Sequence, residues 1–209
     1  MTGRAVKRCI LPADAMARNS RRDFLKTVAA GSVAANVLRA RGVEGTQAPA
    51  LVGPAEVAVT LTINGQRYQL RVEPRVTLLE ALRTRLGLTG TKRACDRSAC
   101  GACTVIIDAR THYSCSILAI EAQGRDIRTV EGLVHDHTLH PVQQAFCDHD
   151  GVMCGFCTPG LVMATVALVN GNQTPTVTEA QRALDGHLCR CGANTGVLAA
   201  ALALKATRD

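Results

Sequence analysis

The 209-residue chain has no tryptophan, and aromatic residues make up only 2% of it. A core built mainly from Val, Leu, Ile and Ala is possible, but it is thin. Small domains with thin cores often lean on a metal or a crosslink for stability. The mild apolar run from Thr27 to Leu38 is too short for an ordinary membrane span, so no stable span is expected.

Excess charge is missing from the body of the chain. The net charge is +7, yet residues 1–50 hold nine Lys/Arg and three Asp/Glu, while residues 51–209 hold fifteen and fourteen. A nucleic-acid binder carries its basic patch on the folded domain, so nucleic acid is not an expected partner. No Ser-His-Asp set, glycine-rich phosphate loop or paired acid–base carboxylates stand out. Their absence fits a chain with no catalytic residues for substrate chemistry.

The basic leader contains Ser20-Arg21-Arg22-Asp23-Phe24-Leu25-Lys26 ahead of the apolar run. A basic region followed by a short apolar one has the layout of a secretory signal. The arginine pair with Phe-Leu-Lys resembles the twin-arginine signal, an address for folded bacterial cargo. It implies a periplasmic protein exported with any cofactor already in place. Residues 1–50 are therefore read as signal and linker.

From Glu56 the pattern turns to period two. Val57, Val59, Leu61 and Ile63 suit a half-buried strand. Asn64-Gly65 is a two-residue hairpin turn, and Tyr68, Leu70 and Val72 continue a second strand. Thr77 and Glu80 fit a capping box opening a helix lined by Leu78, Leu79, Leu82 and Leu86, with Gly87 as its stop. Strands are expected at Thr104–Ile107, around His112–Cys115 and at Ile127–Val130, with Asp108-Ala109-Arg110 as a turn. The later part reads as four helices: Leu139–Asp148, Pro159–Val169, one opened by Thr176 and Glu179, and Val197–Lys205.

Cysteine is what the chain has in abundance, with ten residues. Cys95, Cys100, Cys103 and Cys115 follow C-x4-C-x2-C with a distant fourth, the plant-type ferredoxin spacing for one [2Fe-2S] cluster. Three thiolates must converge from one loop, and the small residues Ala94, Ser98, Ala99, Gly101 and Ala102 allow that loop to wind tightly. Cys154, Cys157, Cys189 and Cys191 form a second set, one pair before a helix start and one between helices. On spacing alone this second set fits an iron–sulfur cluster, a zinc site or disulfides.

Gly90-Thr91-Lys92, Cys100-Gly-Ala-Cys103, Thr129-Val-Glu-Gly-Leu133, Cys154-Gly-Phe-Cys-Thr-Pro-Gly160 and Leu188-Cys-Arg-Cys191 stand in one order. That order resembles the small subunits of the xanthine oxidase, or molybdenum hydroxylase, family. Cys189-Arg-Cys-Gly-Ala193 with the leader looks most like periplasmic aldehyde oxidoreductase iron–sulfur subunits. The resemblance covers about residues 57–200. It implies an α+β protein with a β-grasp ferredoxin-like domain over 56–130 and a four-helix domain over 131–209, each holding one [2Fe-2S] cluster. It also implies a large partner subunit carrying the molybdenum cofactor, with Cys191 beside the pterin. The ferredoxin-like cluster would pass electrons to an FAD subunit or a cytochrome. Arg190, between two ligands, is a candidate for tuning the potential.

The chain departs from the family pattern in places. Ala94 and Ser98 stand where the family often has Gly, Met153 where many relatives carry Gln, and His187 where Asn is usual. Cys9 and Cys147 fall outside both sets, and Cys147 is expected to be a small buried apolar residue. His135, His137, His140 and His149 are expected to be solvated loop residues. Two other readings compete with the redox subunit: a free-standing ferredoxin-like carrier, and a non-redox binding module.

Overall fold

Burial alternates along the first strand, β1 (Val57–Ile63), with Val59, Leu61 and Ile63 turned into the core. The computed structural model describes residues 53–172 and 174–204. The arginine-pair segment, Cys9 and Lys205 lie outside them. Asn64 and Gly65 both adopt positive φ, 52° and 78°, as a tight I′ hairpin requires. That turn sets Ile63 opposite Gln66 at the start of β2 (Gln66–Val72).

Thr77 opens the next element by accepting from the Glu80 N–H at 3.2 Å. A helical turn, Leu78–Glu80, runs on into a wide π turn, Ala81–Arg85. Together they form α1. The expected capping box is present by its Thr77 arm, while the Glu80 carboxylate lies 3.8 Å from Arg93.

β3 (Thr104–Ile107), β4 (Arg110–Tyr113) and β5 (Asp126–Arg128) complete a five-stranded sheet of order β2-β1-β5-β3-β4. Only β1 and β5 run parallel. The mixed sheet closing over α1 is the expected β-grasp form. The core on that side joins Leu61, Ile63, Leu78, Leu82, Val105, Ile107 and Ile127.

Several boundaries differ from the sequence expectation, among them the last strand, which is Asp126–Arg128 and not Ile127–Val130, with Val130 opening a 3-10 turn. Arg110 is the first residue of β4, because Asp108 and Ala109 (φ 47° and 65°) close the turn alone. Cys115 sits in a 3-10 turn, Ser114–Ser116, instead of a strand. Ser114 causes this by donating to the Cys103 carbonyl twice, from N–H at 3.2 Å and Oγ at 2.8 Å.

The later part is helical: α2 (Pro141–Asp148), α3 (Thr158–Gly171), α4 (Val177–Leu184) and α5 (Asn194–Ala203). α3 is the central rod, buried from Gly160 through Val166. Its core unites Val142, Phe146, Leu161, Met163, Val166 and Val197 with Ile106 of β3. Thr176 and Glu179 form both arms of the expected capping box. His140 caps α2 in the same way, its Nδ1 accepting from Val142 N–H at 3.2 Å and its own N–H donating to Gln143 at 3.0 Å. His140 is thus a structural cap and not a solvated loop residue. Cys147 is exposed, because Val142, Ala145 and Phe146 occupy the buried face of α2. No helix among the described residues is long and apolar enough to cross a membrane.

Candidate metal centres

The first cysteine loop is held from outside by short contacts. Gly90 N–H donates to Glu131 Oε1 at 2.7 Å, and Glu131 Oε2 accepts from the Thr129 hydroxyl at 2.6 Å. Thr129 N–H in turn donates to Asn64 Oδ1 at 2.8 Å. The motifs at 90–92 and 129–133 thus dock on each other and on the first hairpin. Lys92 N–H reaches the Ala102 carbonyl at 3.1 Å and closes the base of the loop.

Within the loop, backbone N–H groups point at sulfur. Ala99 donates to Cys95 Sγ and Ser98 donates to Cys115 Sγ, each at 3.3 Å. The chain turns tightly enough for this because Asp96, Ser98 and Gly101 adopt positive φ. Ser98 therefore bears left-handed strain, a cost of about 1–2 kcal/mol for an L-residue, whereas Ala94 does not. Cys103 and Cys115 are buried beside Leu79 and Tyr113, and Cys95 and Cys100 lie nearer the surface.

The second set is built on helix starts. Cys157 is the residue before α3, and Ala193, two residues after Cys191, is the residue before α5. Free N–H groups and the positive dipole end of each helix favour thiolate there. Cys154 and Cys191 are exposed, and Cys157 and Cys189 are half-buried.

In both sets neighbouring thiols perturb one another: Cys95 and Cys100, Cys103 and Cys115, Cys154 and Cys191, and Cys157 and Cys189. None of the nine cysteines of the described residues is joined in a disulfide. No group of three or more His, Cys, Asp or Glu side chains among them closes around a point as a single ion requires. Paired thiols with N–H groups aimed at sulfur suit a two-iron rhomb, which takes two cysteines at each iron. The donors present therefore fit [2Fe-2S] clusters.

The thiols differ in acidity in the metal-free chain. The N–H groups of Arg97 and Ala99, helped by the Cys100 thiol, bring Cys95 down to about 7. Burial pushes Cys103 and Cys157 up to about 12. The Phe156 N–H and the Cys191 thiol hold Cys154 below its ordinary value, and that same hydrogen bond raises Cys191. Burial pushes Cys189 up, but the Ala193, Gly192 and Cys191 N–H groups and the Cys157 thiol outweigh it. A metal ion takes the thiolate form, so cluster assembly must release protons from the buried thiols.

Between the two sets lie residues whose part was not legible in the sequence. Thr104 is buried, donates its hydroxyl to the Gly101 carbonyl at 2.7 Å, and meets His187 Nε2 at 2.9 Å. A Thr directly after a cysteine of the first set was the available signal. Burial also lowers the His187 pKa.

Around the second set the surface is apolar. Leu139, Val152, Met153, Phe156 and Leu188 are all exposed, Met153 and Leu188 at 64%. The first loop instead shows Arg93, Asp96 and Arg97 to solvent. Arg190 is also exposed.

The sequence matches the family described as "2Fe-2S iron-sulfur cluster binding domain" over residues 61–132 and that described as "[2Fe-2S] binding domain" over 129–202. It is 40% identical to the aldehyde oxidoreductase iron–sulfur-binding subunit PaoA of Escherichia coli O157:H7, covering 87% of this chain and 86% of that one. The xanthine dehydrogenase iron–sulfur-binding subunit of the same organism is 46% identical, over 65% of this chain and 86% of its own. Among solved structures, quinoline 2-oxidoreductase from Pseudomonas putida 86 superposes with a TM-score of 0.69 at 38% identity, over 70% of this chain and 91% of the matched one.

Proposed function

The chain belongs to the [2Fe-2S] small subunits of the molybdenum hydroxylase family, and from that membership we propose which residues carry its electrons and in what order. It is an electron-transfer subunit of an oxidoreductase complex, with two [2Fe-2S] clusters and no substrate chemistry of its own. Its partner is a large subunit that holds the molybdenum cofactor.

Cys95, Cys100, Cys103 and Cys115 would hold the first cluster. Cys154, Cys157, Cys189 and Cys191 would hold the second. The observation that carries the assignment is the gathering of eight cysteines, none in a disulfide, into two groups with backbone N–H groups aimed at sulfur. A bound cluster supplies one-electron storage. The chain's residues hold it in place, donate N–H groups to its sulfurs and limit its access to water. Each N–H···S bond and each nearby positive charge favours the reduced form.

Direction follows from the two surfaces. An apolar rim suits a lasting partner, because buried apolar area drives stable association. The second set, ringed by Met153, Phe156 and Leu188, therefore faces the molybdenum subunit and takes electrons first, with Cys191 on the approach. The first set then passes them to an FAD subunit or a cytochrome. Its charged rim suits a partner steered by electrostatics. Aldehyde or N-heterocycle oxidation is the reaction that the complex performs. The leader at residues 20–26 sends the folded subunit to the periplasm by the twin-arginine route. The β-grasp part spans about 56–130 and the helical part about 131–209.

The test is iron content with EPR on anaerobically purified protein. The wild type should carry about four irons per chain and two reduced signals, and Cys191→Ser or Cys103→Ser about two irons and one signal. A pale wild type with little iron overturns the assignment. Native mass spectrometry separates a subunit from a lone carrier, since a lone carrier brings no large chain with it.

A further inference from the structure

Two cysteine loops far apart in the sequence meet at one place. Leu188 N–H donates to the Cys100 carbonyl at 3.0 Å. Cys100 is a proposed ligand of the first cluster, and Leu188 adjoins Cys189 of the second. One hydrogen bond thus joins the two ligand backbones, with no side chain between them.

His187 braces this junction from three sides. Its Nε2 meets the Thr104 hydroxyl at 2.9 Å, and Thr104 itself holds Gly101 beside Cys100. Its Nδ1 lies 3.3 Å from the Leu184 carbonyl at the end of α4. Thr104 has one hydroxyl hydrogen, which goes to Gly101, so His187 carries its hydrogen on Nε2 and donates to the Thr104 oxygen. The ring also covers Gly101 so closely that a β-carbon there would meet His187 Cδ2 at 2.5 Å and Cγ at 2.7 Å. Tyr113, packed on Cys103 and Cys115, closes the far side edge-on, with ring centroids 6.0 Å apart.

We propose that His187 is a positioning residue that locks the two cysteine loops together, so that the Leu188–Cys100 hydrogen bond serves as the electron bridge between the clusters. This rests on the assignment of both cysteine sets to clusters. In the step it governs, one electron leaves the reduced second cluster and enters the oxidised first cluster. No bond breaks and no proton moves. His187 touches neither iron. It sets the spacing over which the two sites couple.

Two variants approach the brace from opposite sides. His187→Ala removes the ring, and Thr104→Val removes only the hydroxyl at near-constant volume. Each is made in the full chain within the assembled complex, and iron content is measured first. The readout is low-temperature EPR of the fully reduced complex. Two paramagnetic clusters held close together split each other's lines, and partial reduction removes the splitting.

In iron-replete variants the splitting should shrink, and electron passage from second to first cluster in a rapid-freeze experiment should slow several-fold. The double variant should be no worse than His187→Ala alone, because the two residues act through one link. Unchanged splitting in an iron-replete variant overturns the proposal. So does iron loss in both variants, since the residues then serve ligand-loop folding and not spacing. If only His187→Ala loses iron, Thr104→Val decides. Two unsplit signals in the wild type also overturn it. A single wild-type signal sinks the two-cluster assignment itself.

Discussion

Gly160 shows how one missing side chain can hold two layers together. A β-carbon on this residue would run into the Gly101 carbonyl oxygen, a backbone atom with little freedom to move. The contact lets the start of α3 lie directly on the first cysteine loop. Gly160→Ala should therefore cost about 1–3 kcal/mol through overpacking and lower the iron content of the first set. Urea unfolding with iron analysis checks both, and a variant as stable and as iron-rich as wild type would refute the close approach. Some of this was readable beforehand. The eight cysteines of the two sets stood out by spacing, and Ser98 was flagged by the glycine it replaces. What was not readable depends on contacts distant in sequence. Nothing in the strings around Gly160 and Gly101 reveals that they touch, and His187 stood out only as a departure.

At the scale of elements, turn and cap chemistry decided what could be foreseen. Asn64-Gly65 and the Thr176–Glu179 box carry local signals and were read correctly. The His140 cap was missed because histidine is not among the usual N-cap residues. The displacement of Cys115 into a 3-10 turn depends on Ser114 reaching back to Cys103, eleven residues away. The β3–β4 turn yields a pH prediction. Asp108 accepts from Arg125 Nε at 2.7 Å and from Asp126 N–H at 3.1 Å, and these bonds hold its carboxyl below the ordinary range, the Arg125 bond foremost. A carboxyl depressed on folding contributes stability that is present above its unfolded pKa and lost as pH falls through the folded one. Asp108→Asn keeps a residue suited to positive φ but removes that acid-sensitive part. Melting temperature followed from about pH 7 to pH 3 should fall more steeply in the wild type than in the variant. His112, held below its ordinary value chiefly by burial and secondly by Arg125, is raised in part by Asp108, so removing that carboxylate also lowers His112 and both effects of Asp108 enter the comparison. The difference between the two curves is therefore the quantity to read, and parallel curves would remove Asp108 from the account.

For the whole molecule, the scarcity of aromatic residues has a consequence. Phe146 is the one aromatic side chain in either main buried core of the described residues, and the rest is aliphatic. The two cores share a wall: Val105 and Ile107 of β3 face α1, while Ile106 between them faces the helical core. The brief run Thr104–Ile107 is buried at every position, so the sheet and the helices use opposite faces of one strand. The ferredoxin-like and helical parts are separate matched families in sequence, yet they share that strand, the Gly160–Gly101 contact and the Leu188–Cys100 bond. They should melt together. Metal that binds only the folded chain adds its binding free energy to stability, and a thin core makes that share large. Stripping iron with a chelator under reducing conditions should lower the melting temperature by about 10 °C or more. In the loaded protein, visible absorbance and far-UV circular dichroism should fall in one coincident transition. Two separated transitions would show that the halves stand independently, and an unchanged midpoint after iron removal would show that the aliphatic core suffices alone.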